Sequence, residues 1–310
     1  MTRVLSYNIW VGGVGRVPIL VKMMRSQRPD LIALIEATNS QVVLELAEKL
    51  DMHYHFISGQ PAHEEDWHVG LLSRFPFVGK PIVHTSPPFA KPLLEVCVEE
   101  ADGTQLTIFV AHLIADFGNR TAGDNIRKQE VRALLRLMQT KQGTPHLLMG
   151  DFSAIARHEL LRASALLRYV IALQKEYKED EKAFIEKPTL DYAMPLPKFI
   201  LKFSPIFSLI ARSKLLCYLF DLGVTRFRAP HGDLHLLYKA GYTDCFREKN
   251  KKPRLAGLTA STTALAARLD FIFASPEMAQ RLTTCSVIEQ AEDIKGVDAS
   301  DHLPIFAEFV

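Results

Sequence analysis

Two hydrophobic periods alternate along this chain, and together they predict most of its elements. Arg3 to Ile9 repeats every second residue: Leu5, Tyr7 and Ile9 share one face, and Val4, Ser6 and Asn8 share the other. That is a strand with Asn8 near its exit. Leu31 to Ile35 is apolar throughout, as in a strand buried on both faces, and Glu36 follows at once. Tyr54 to Ile57 and Val69 to Ser73 are further strands. Leu93 to Glu100 and Gln105 to Leu113 flank Asp102-Gly103, a hairpin turn pair, and the second strand ends in His112. Leu147, Leu148 and Met149 form a short apolar run that Gly150 ends, with Asp151 just past it. Arg268 to Ala274 is a strand carrying Asp270 between apolar neighbours, and Ser300 to Pro304 precedes a last strand ending at Val310.

Helical spacing fills the gaps. Val17 to Ser26 is a helix. Asn39 caps another, whose apolar face is Val43, Leu46, Ala47 and Leu50. Asn125 to Gln139 points Val131, Leu134, Leu135 and Met138 inward, and Leu234 to Ala240 is a short helix ending at Gly241. The stretch after Ser153 breaks this rhythm. Leu160 to Leu173 is helical and apolar-faced, Lys175 to Lys187 is a mixed charge run that reads as an exposed hinge or loop, and Pro195 to Phe220 is rich in Phe, Leu and Ile with lysines and arginines between them. Its longest uncharged piece, Phe203 to Ala211, falls short of the roughly 20 apolar residues that cross a bilayer. No transmembrane segment is therefore expected. The readings are a packed helical insertion, a lid, or an amphipathic patch giving peripheral membrane contact through 195–220. With no repeat, low-complexity tract or linker, the chain is expected to be one domain over residues 1–310 with a helical apolar insertion at about 154–230.

Composition narrows this little. The 310 residues are 48% hydrophobic, enough for a large core, and the formal net charge of +2 does not separate nucleic acid, lipid or small phosphoesters as partners. Two cationic stretches bear on that choice. Arg120, Arg127, Lys128, Arg132 and Arg136 lie on the other side of the third helix or in its approach, most expected as a solvated face and one as a candidate to reach a phosphate. Arg247, Lys249, Lys251, Lys252 and Arg254 form a basic loop, either solubilising or in contact with backbone phosphates. Cys97, Cys217, Cys245 and Cys285 are scattered, without a Cys-x-x-Cys pair, and Met1 runs straight into strand-like sequence. Both features lead to the expectation of a reducing, cytoplasmic location. The glycines at 12, 13 and 15 lack the Lys-Ser/Thr that follows a phosphate-cradling loop.

The candidate chemistry lies where strands end. Glu36 and Asp151 repeat one layout, an apolar strand followed by an acid, and a carboxylate at such a mouth is costly to desolvate unless it is paired or working. His112 ends a third strand. Asp270, inside a strand, needs a partner, and His302 beside Asp301 is the obvious one.

In this order Asn8, Glu36, His112, Asp151, Ser153, Asp270, Asp301 and His302 resemble the endonuclease/exonuclease/phosphatase superfamily, the deoxyribonuclease I-like hydrolases. The matching pieces are Leu5 to Trp10, Pro29 to Glu36, Val69 to Pro76, Val110 to Leu113, Gly150 to Ser153, Arg268 to Phe273 and Ser300 to Pro304. These pieces cover both ends and the middle, so the resemblance spans essentially the whole chain apart from the Ala154–Pro230 insertion. The resemblance implies an α+β fold, a four-layer α/β sandwich of two packed mixed β-sheets flanked by helices. It also implies Mg²⁺- or Mn²⁺-dependent hydrolysis of phosphoesters. Glu36 would be the main metal ligand, helped by Asn8 and Asp301. Asp151 would orient and deprotonate the attacking water. His302, held by Asp270, would contact the scissile phosphoryl group, and His112 would stabilise it from another side. Those residue types suit the chemistry: Mg²⁺ takes hard oxygen ligands and keeps several waters, and a His–Asp pair favours the charged imidazole. The family pattern Gly-Asp-Phe-Asn is Gly-Asp-Phe-Ser here, so Ser153 replaces an amide donor by a shorter hydroxyl that reaches its target through water.

The leading reading is a phosphodiesterase acting on nucleic acid. Alternatives are a sphingomyelinase-like enzyme acting on a phospholipid headgroup, a small-molecule phosphatase, and a binding module that keeps the fold with weakened catalysis, for which Ser153 is the hint.

Overall fold

The computed structural model describes residues 1–58, 68–114, 120–156, 159–165, 167, 168, 171, 204–228, 234–251, 256–260 and 266–310. The strands in chain order are β1 (Thr2–Asn8), β2 (Leu31–Ile35), β3 (Tyr54–Ile57), β4 (Val69–Ser73), β5 (Ile82–His84), β6 (Leu93–Glu99) and β7 (Gln105–His112). They continue with β8 (His146–Asp151), β9 (Thr243–Asp244), β10 (Asp270–Ala274), β11 (Leu282–Val287), β12 (Gln290–Ala291), β13 (Ile294–Lys295) and β14 (Ile305–Phe309). Two six-stranded sheets carry the fold, in the orders β11-β14-β1-β2-β4-β3 and β5-β6-β7-β8-β10-β9, beside a small β12-β13 pair. Each large sheet is mixed. β1–β2 and β7–β8 are parallel, and the other pairings are antiparallel.

The layers follow from strand alternation. Val4, Leu31, Ala33 and Leu71 of one sheet pack with Leu94, Val96, Ile108, Val110, Met149 and Ile272 of the other in one buried cluster. Leu5 and Tyr7, on the opposite face of β1, and Ile9 just beyond it pack under α1 (Val17–Arg25) and α2 (Ser40–Leu50). Phe109, Leu148, Phe271 and Phe273 pack under Val131, Leu134 and Met138 of α3 (Arg120–Gln139). This is the expected sandwich of two sheets between helices, and both faces of the central strands are buried. The Asn39 side chain accepts from Val42 N at 3.1 Å, as its capping position requires.

Three sequence expectations are corrected. Asp151 is the last residue of β8, not a residue beyond it, and it pairs in register with His112 on one side and Asp270 on the other. The strand expected from Arg268 begins at Asp270. Arg247 and Lys249 lie on a helical turn, Cys245–Lys249, not in a loop. Asp244 caps that turn through Oδ1, which accepts from Arg247 N at 3.2 Å. Strands β5 and β11 carry too little apolar alternation to be read from sequence, since both lie at sheet edges where one face meets water. The charge run at 175–187, the 195–203 part of the apolar stretch, and Lys252 and Arg254 lie outside the described residues.

The chain divides into two compact units. One comprises Met1–Glu159, Pro230–Thr262 and Arg268–Val310 and holds both sheets. The other comprises Leu160–Ala229 and Thr263–Ala267. In it, helices Ser204–Arg212 and Lys214–Arg228 form a hairpin, and Arg162 bridges Ala266 through backbone hydrogen bonding at 2.7 Å.

Candidate active site

Strand direction gathers the predicted residues. Asn8, His112 and Asp151 end β1, β7 and β8, and Glu36 directly follows β2. Asp270 starts β10, antiparallel to β8, and Asp301 and His302 stand just before β14, antiparallel to β1. Ends of parallel strands and beginnings of antiparallel ones fall at the same edge, so residues nearly three hundred positions apart meet there.

Asn8 is the hub. Its Nδ2 donates to Glu36 Oε1 at 3.1 Å and to Asp151 Oδ2 at 3.3 Å, while its Oδ1 accepts from Trp10 N at 3.0 Å. Glu36 also accepts from Val11 N at 2.7 Å. That bond requires the chain to double back, and Trp10, Val11 and Glu36 all have positive φ (51°, 46° and 60°). Such conformations cost on the order of 1 kcal/mol or more in non-glycine residues and persist where surrounding contacts hold them. Arg16 supplies some of that hold, donating to Ile9 O at 3.0 Å, to Trp10 O and to Ala299 O at 2.5 Å. Ser300 Oγ then donates to Asn8 O at 2.8 Å and lies 3.4 Å from Asp301 Oδ1, fixing the segment that carries Asp301 against β1.

Asp151 is approached from four sides. Besides Asn8, its Oδ1 accepts from Ser153 N at 2.7 Å, and its Oδ2 lies 3.7 Å from His112 Nε2 and 3.8 Å from His302 Nε2. Gly150 permits this crowding. Its φ is 146°, and a Cβ there would stand 1.9 Å from Ala111 O on the neighbouring strand. His302 Nδ1 is 2.8 Å from Asp270 Oδ2. Thr259 Oγ1 accepts from Asp270 N at 3.0 Å, and Ala260 bridges His302, so the 259–260 segment braces the pair.

Burial and charge set the protonation of these groups. Burial pushes the Glu36 carboxyl above its ordinary range, with the Val11 and Asn8 hydrogen bonds working the other way. Burial opposes charge on His302, but Asp270, Asp151 and Asp301 outweigh it and keep the ring protonated well above the usual histidine range. His112 is held well below that range by burial and by the Lys91 ammonium.

Lys91 has no signal in the sequence, being a single cation after Pro-Pro-Phe-Ala in a loop. Its Nζ stands 2.6 Å from His112 Nε2 and 3.4 Å from Leu113 O. An ammonium only donates, so Nε2 of the neutral His112 must accept. His112 Nε2 thus holds the Lys91 ammonium in place. Glu130 on α3 fixes both: its carboxylate accepts from Ala90 N at 3.0 Å and from Ile114 N at 3.2 Å, residues adjacent to Lys91 and near His112. Burial brings the Lys91 ammonium down to about 8, despite Asp151, Glu36 and Glu130 nearby.

Two cationic expectations are corrected. Arg127 is fully buried and donates to Ile114 O at 2.8 Å, so it braces the β7 exit and is no part of a solvated face. Arg247 donates to Glu159 and to Ala256 O at 3.0 Å. Ser153, with φ 46°, turns its Oγ inward to Leu113 O (3.3 Å) and Asp151 Oδ1 (3.4 Å), so the hydroxyl braces Asp151.

Two sets of groups are candidates for holding a metal ion. Asp151, Asp270 and His302 offer ligand atoms within 4.8 Å of one another. Yet Asp270 occupies His302 Nδ1, and a protonated ring repels a cation. Glu36, Asn8 and Asp301 offer oxygen donors only. Asp301 raises the Glu36 carboxyl further, as neighbouring acids do. This all-oxygen set suits a hard divalent ion better.

The endonuclease/exonuclease/phosphatase family profile matches residues 5–302. No curated protein sequence matches the chain. Similar solved structures include an endonuclease/exonuclease/phosphatase from Beutenbergia cavernae, 18% identical, with TM-score 0.62 over 99% of this chain and 71% of that one. They also include a 3′ phosphatase from Neisseria bound to a product DNA hairpin, 18% identical, with TM-score 0.59 and full coverage of both chains. An AP endonuclease from Archaeoglobus fulgidus is 13% identical, with TM-score 0.60 over 100% and 99%. At these identities the likeness is one of fold. Because the family profile spans nearly the whole chain, the protein belongs to the endonuclease/exonuclease/phosphatase family of nuclease- and phosphatase-type enzymes.

Proposed function

We propose that this protein is a divalent-metal-assisted phosphodiesterase acting on nucleic acid. The observation that carries the reading is the hydrogen-bonded convergence of Asn8, Glu36, Asp151 and the His302–Asp270 pair at one edge of the two sheets. Glu36, with Asn8 and Asp301, would hold Mg²⁺ or Mn²⁺, which when bound offsets charge on the phosphoryl oxygens. Asp151, its carboxylate fixed by Asn8 and Ser153, orients a water and accepts its proton. The protonated His302, held by Asp270, donates through Nε2 to a phosphoryl oxygen. Lys91, oriented by His112, presents a second cation to the same group.

Nucleic acid is favoured as substrate by two fold neighbours, the Neisseria 3′ phosphatase with its product DNA hairpin and the Archaeoglobus fulgidus AP endonuclease. A phospholipid headgroup is the second reading, favoured by the exposed leucines of the Ser204–Arg228 hairpin. The test is hydrolysis of a DNA oligonucleotide, sphingomyelin vesicles and a chromogenic diester, with Mg²⁺ and with chelator. Chelator-sensitive cleavage of DNA that Glu36→Gln and Asp151→Asn abolish supports the proposal. Cleavage that survives chelation or either substitution overturns the mechanism. Sphingomyelin turnover without DNA cleavage transfers the site to the second reading, and no turnover of any phosphoester favours a binding module.

A further inference from the structure

The hairpin of the second unit is turned inside out. On helix Lys214–Arg228, Cys217, Asp221 and Thr225 fall at every fourth position and are buried. Asp221 accepts from Ser164 N at 2.6 Å and from Ser164 Oγ at 2.9 Å, and Thr225 Oγ1 accepts from Leu161 N at 2.9 Å. The polar stripe is consumed inward. The opposite stripe, Leu215, Tyr218, Leu219 and Leu222, is spaced i, i+3, i+4, i+7 and is 65%, 44%, 51% and 40% exposed. Helix Ser204–Arg212 adds Ile206 and Leu209, 55% and 64% exposed. Eight of the fifteen exposed large apolar side chains of the described residues lie between 206 and 227, whereas the other seven are scattered over the first unit. Single exposed leucines are ordinary, but a contiguous helical stripe marks a surface with a partner.

Charge narrows the choice of partner. Arg212, Lys214 and Arg226 are exposed along the hairpin, and its only acid between 204 and 228 is the buried Asp221. A second copy would bring cation against cation. Nucleic acid would satisfy the cations and leave the leucines in water. Helices of 9 and 15 residues are too short to cross a bilayer, which takes roughly 20, but they suit the plane of its surface.

We propose that the Ser204–Arg228 hairpin docks on an anionic lipid bilayer, with its leucine stripe at the headgroup–acyl boundary and Arg212, Lys214 and Arg226 against lipid phosphates. This docking is independent of the hydrolytic reading, because it uses no residue of the candidate active site.

The test is co-sedimentation of the full chain with phosphatidylcholine vesicles, with and without phosphatidylserine, read in the presence of chelator. Phosphatidylserine is expected to strengthen binding by about tenfold or more, because each surface cation adds attraction. Leu215→Ser with Leu219→Ser is expected to weaken binding to anionic vesicles about tenfold or more. Arg212→Gln, Lys214→Gln and Arg226→Gln together should reduce it to the level of neutral vesicles. These side chains are exposed, so thermal melting should not change, and the charge variant carries the test if the leucine variant melts early. Absence of binding to either vesicle overturns the proposal, as does binding that both variants leave unchanged. Self-association that the leucine substitutions abolish, without vesicle binding, assigns the stripe to a second copy instead.

Discussion

Glu159, Asp244, Arg247 and Arg268 form one buried charged cluster of the sheet unit, and the candidate active site forms another. In the first, acids and guanidiniums match. Arg268 is fully buried, bonds Asp244 through both Nη atoms at 3.0 and 2.6 Å, and reaches Glu159 at 2.7 Å. Tyr238 donates to Asp244 at 2.9 Å, and the Phe271 ring lies 4.2 Å under the guanidinium. In the second, carboxylates are held by an amide, backbone N–H groups and imidazoles. The carboxyls report the difference. Burial alone would raise both, but Arg268 brings Asp244 below the ordinary range, while Glu36 stays above it. A buried cluster that neutralises itself is structural. One that leaves an acid raised holds electrostatic free energy for a ligand to use.

Neutralising one member of each cluster should separate the two most strongly. Asp151→Asn should lower kcat by about 10²–10⁴-fold, the scale of a lost general base, with an unchanged urea midpoint. Arg268→Met should do the reverse. It leaves the buried Asp244 without its guanidinium and should cost about 3–5 kcal/mol in urea denaturation. A stable Arg268→Met protein would mean that the first cluster is not structural.

Metal and pH separate the clusters next. Mg²⁺ at a hundred times its dissociation constant should stabilise the wild type by about 2.7 kcal/mol in thermal melts and leave Glu36→Gln unaffected. In chelator the order inverts. Because the folded Glu36 carboxyl lies above its unfolded value, its ionisation opposes folding at neutral pH, and that penalty vanishes below about pH 4.3. Metal-free Glu36→Gln should therefore be the more stable protein at pH 7 and lose its advantage in acid. Asp244 has the opposite sign: its folded value is depressed, so its contribution is present above about pH 3.9 and fades as pH falls further.

Lys91→Met should reduce kcat/KM by about 10²–10³-fold, the range for one preorganised donor, without changing stability, and Lys91→Arg should restore part of it. An unaffected Lys91→Met enzyme would return the phosphate-facing role to His112. The smallest effect is expected at Ser153, which holds φ 46°. Asparagine tolerates that region better than serine, so Ser153→Asn should stabilise by no more than about 1 kcal/mol. A changed kcat in that variant would show that position 153 reaches the substrate.

What sequence alone determined is local and periodic. Alternation in Arg3 to Ile9, the unbroken apolar run Leu31 to Ile35 and the Asp102-Gly103 turn were legible because each depends on neighbours a few residues away. The order of acids and imidazoles after those strands was legible too, since Glu36, His112 and Asp151 each terminate a run that marks its own end. Tertiary structure decided what those side chains touch. Nothing near Lys91 in sequence points to His112, and nothing near Arg127 distinguishes a buried brace from a phosphate-facing cation. The basic run from Arg247 gave no sign that Arg247 itself answers Glu159. The orientation of the 204–228 hairpin likewise depended on Ser164 and Leu161, which take its polar stripe inward and leave its leucines outside. Pattern reports whether a side chain prefers water or a core; a charge's partner is set by proximity across strands, and chain order does not encode that distance.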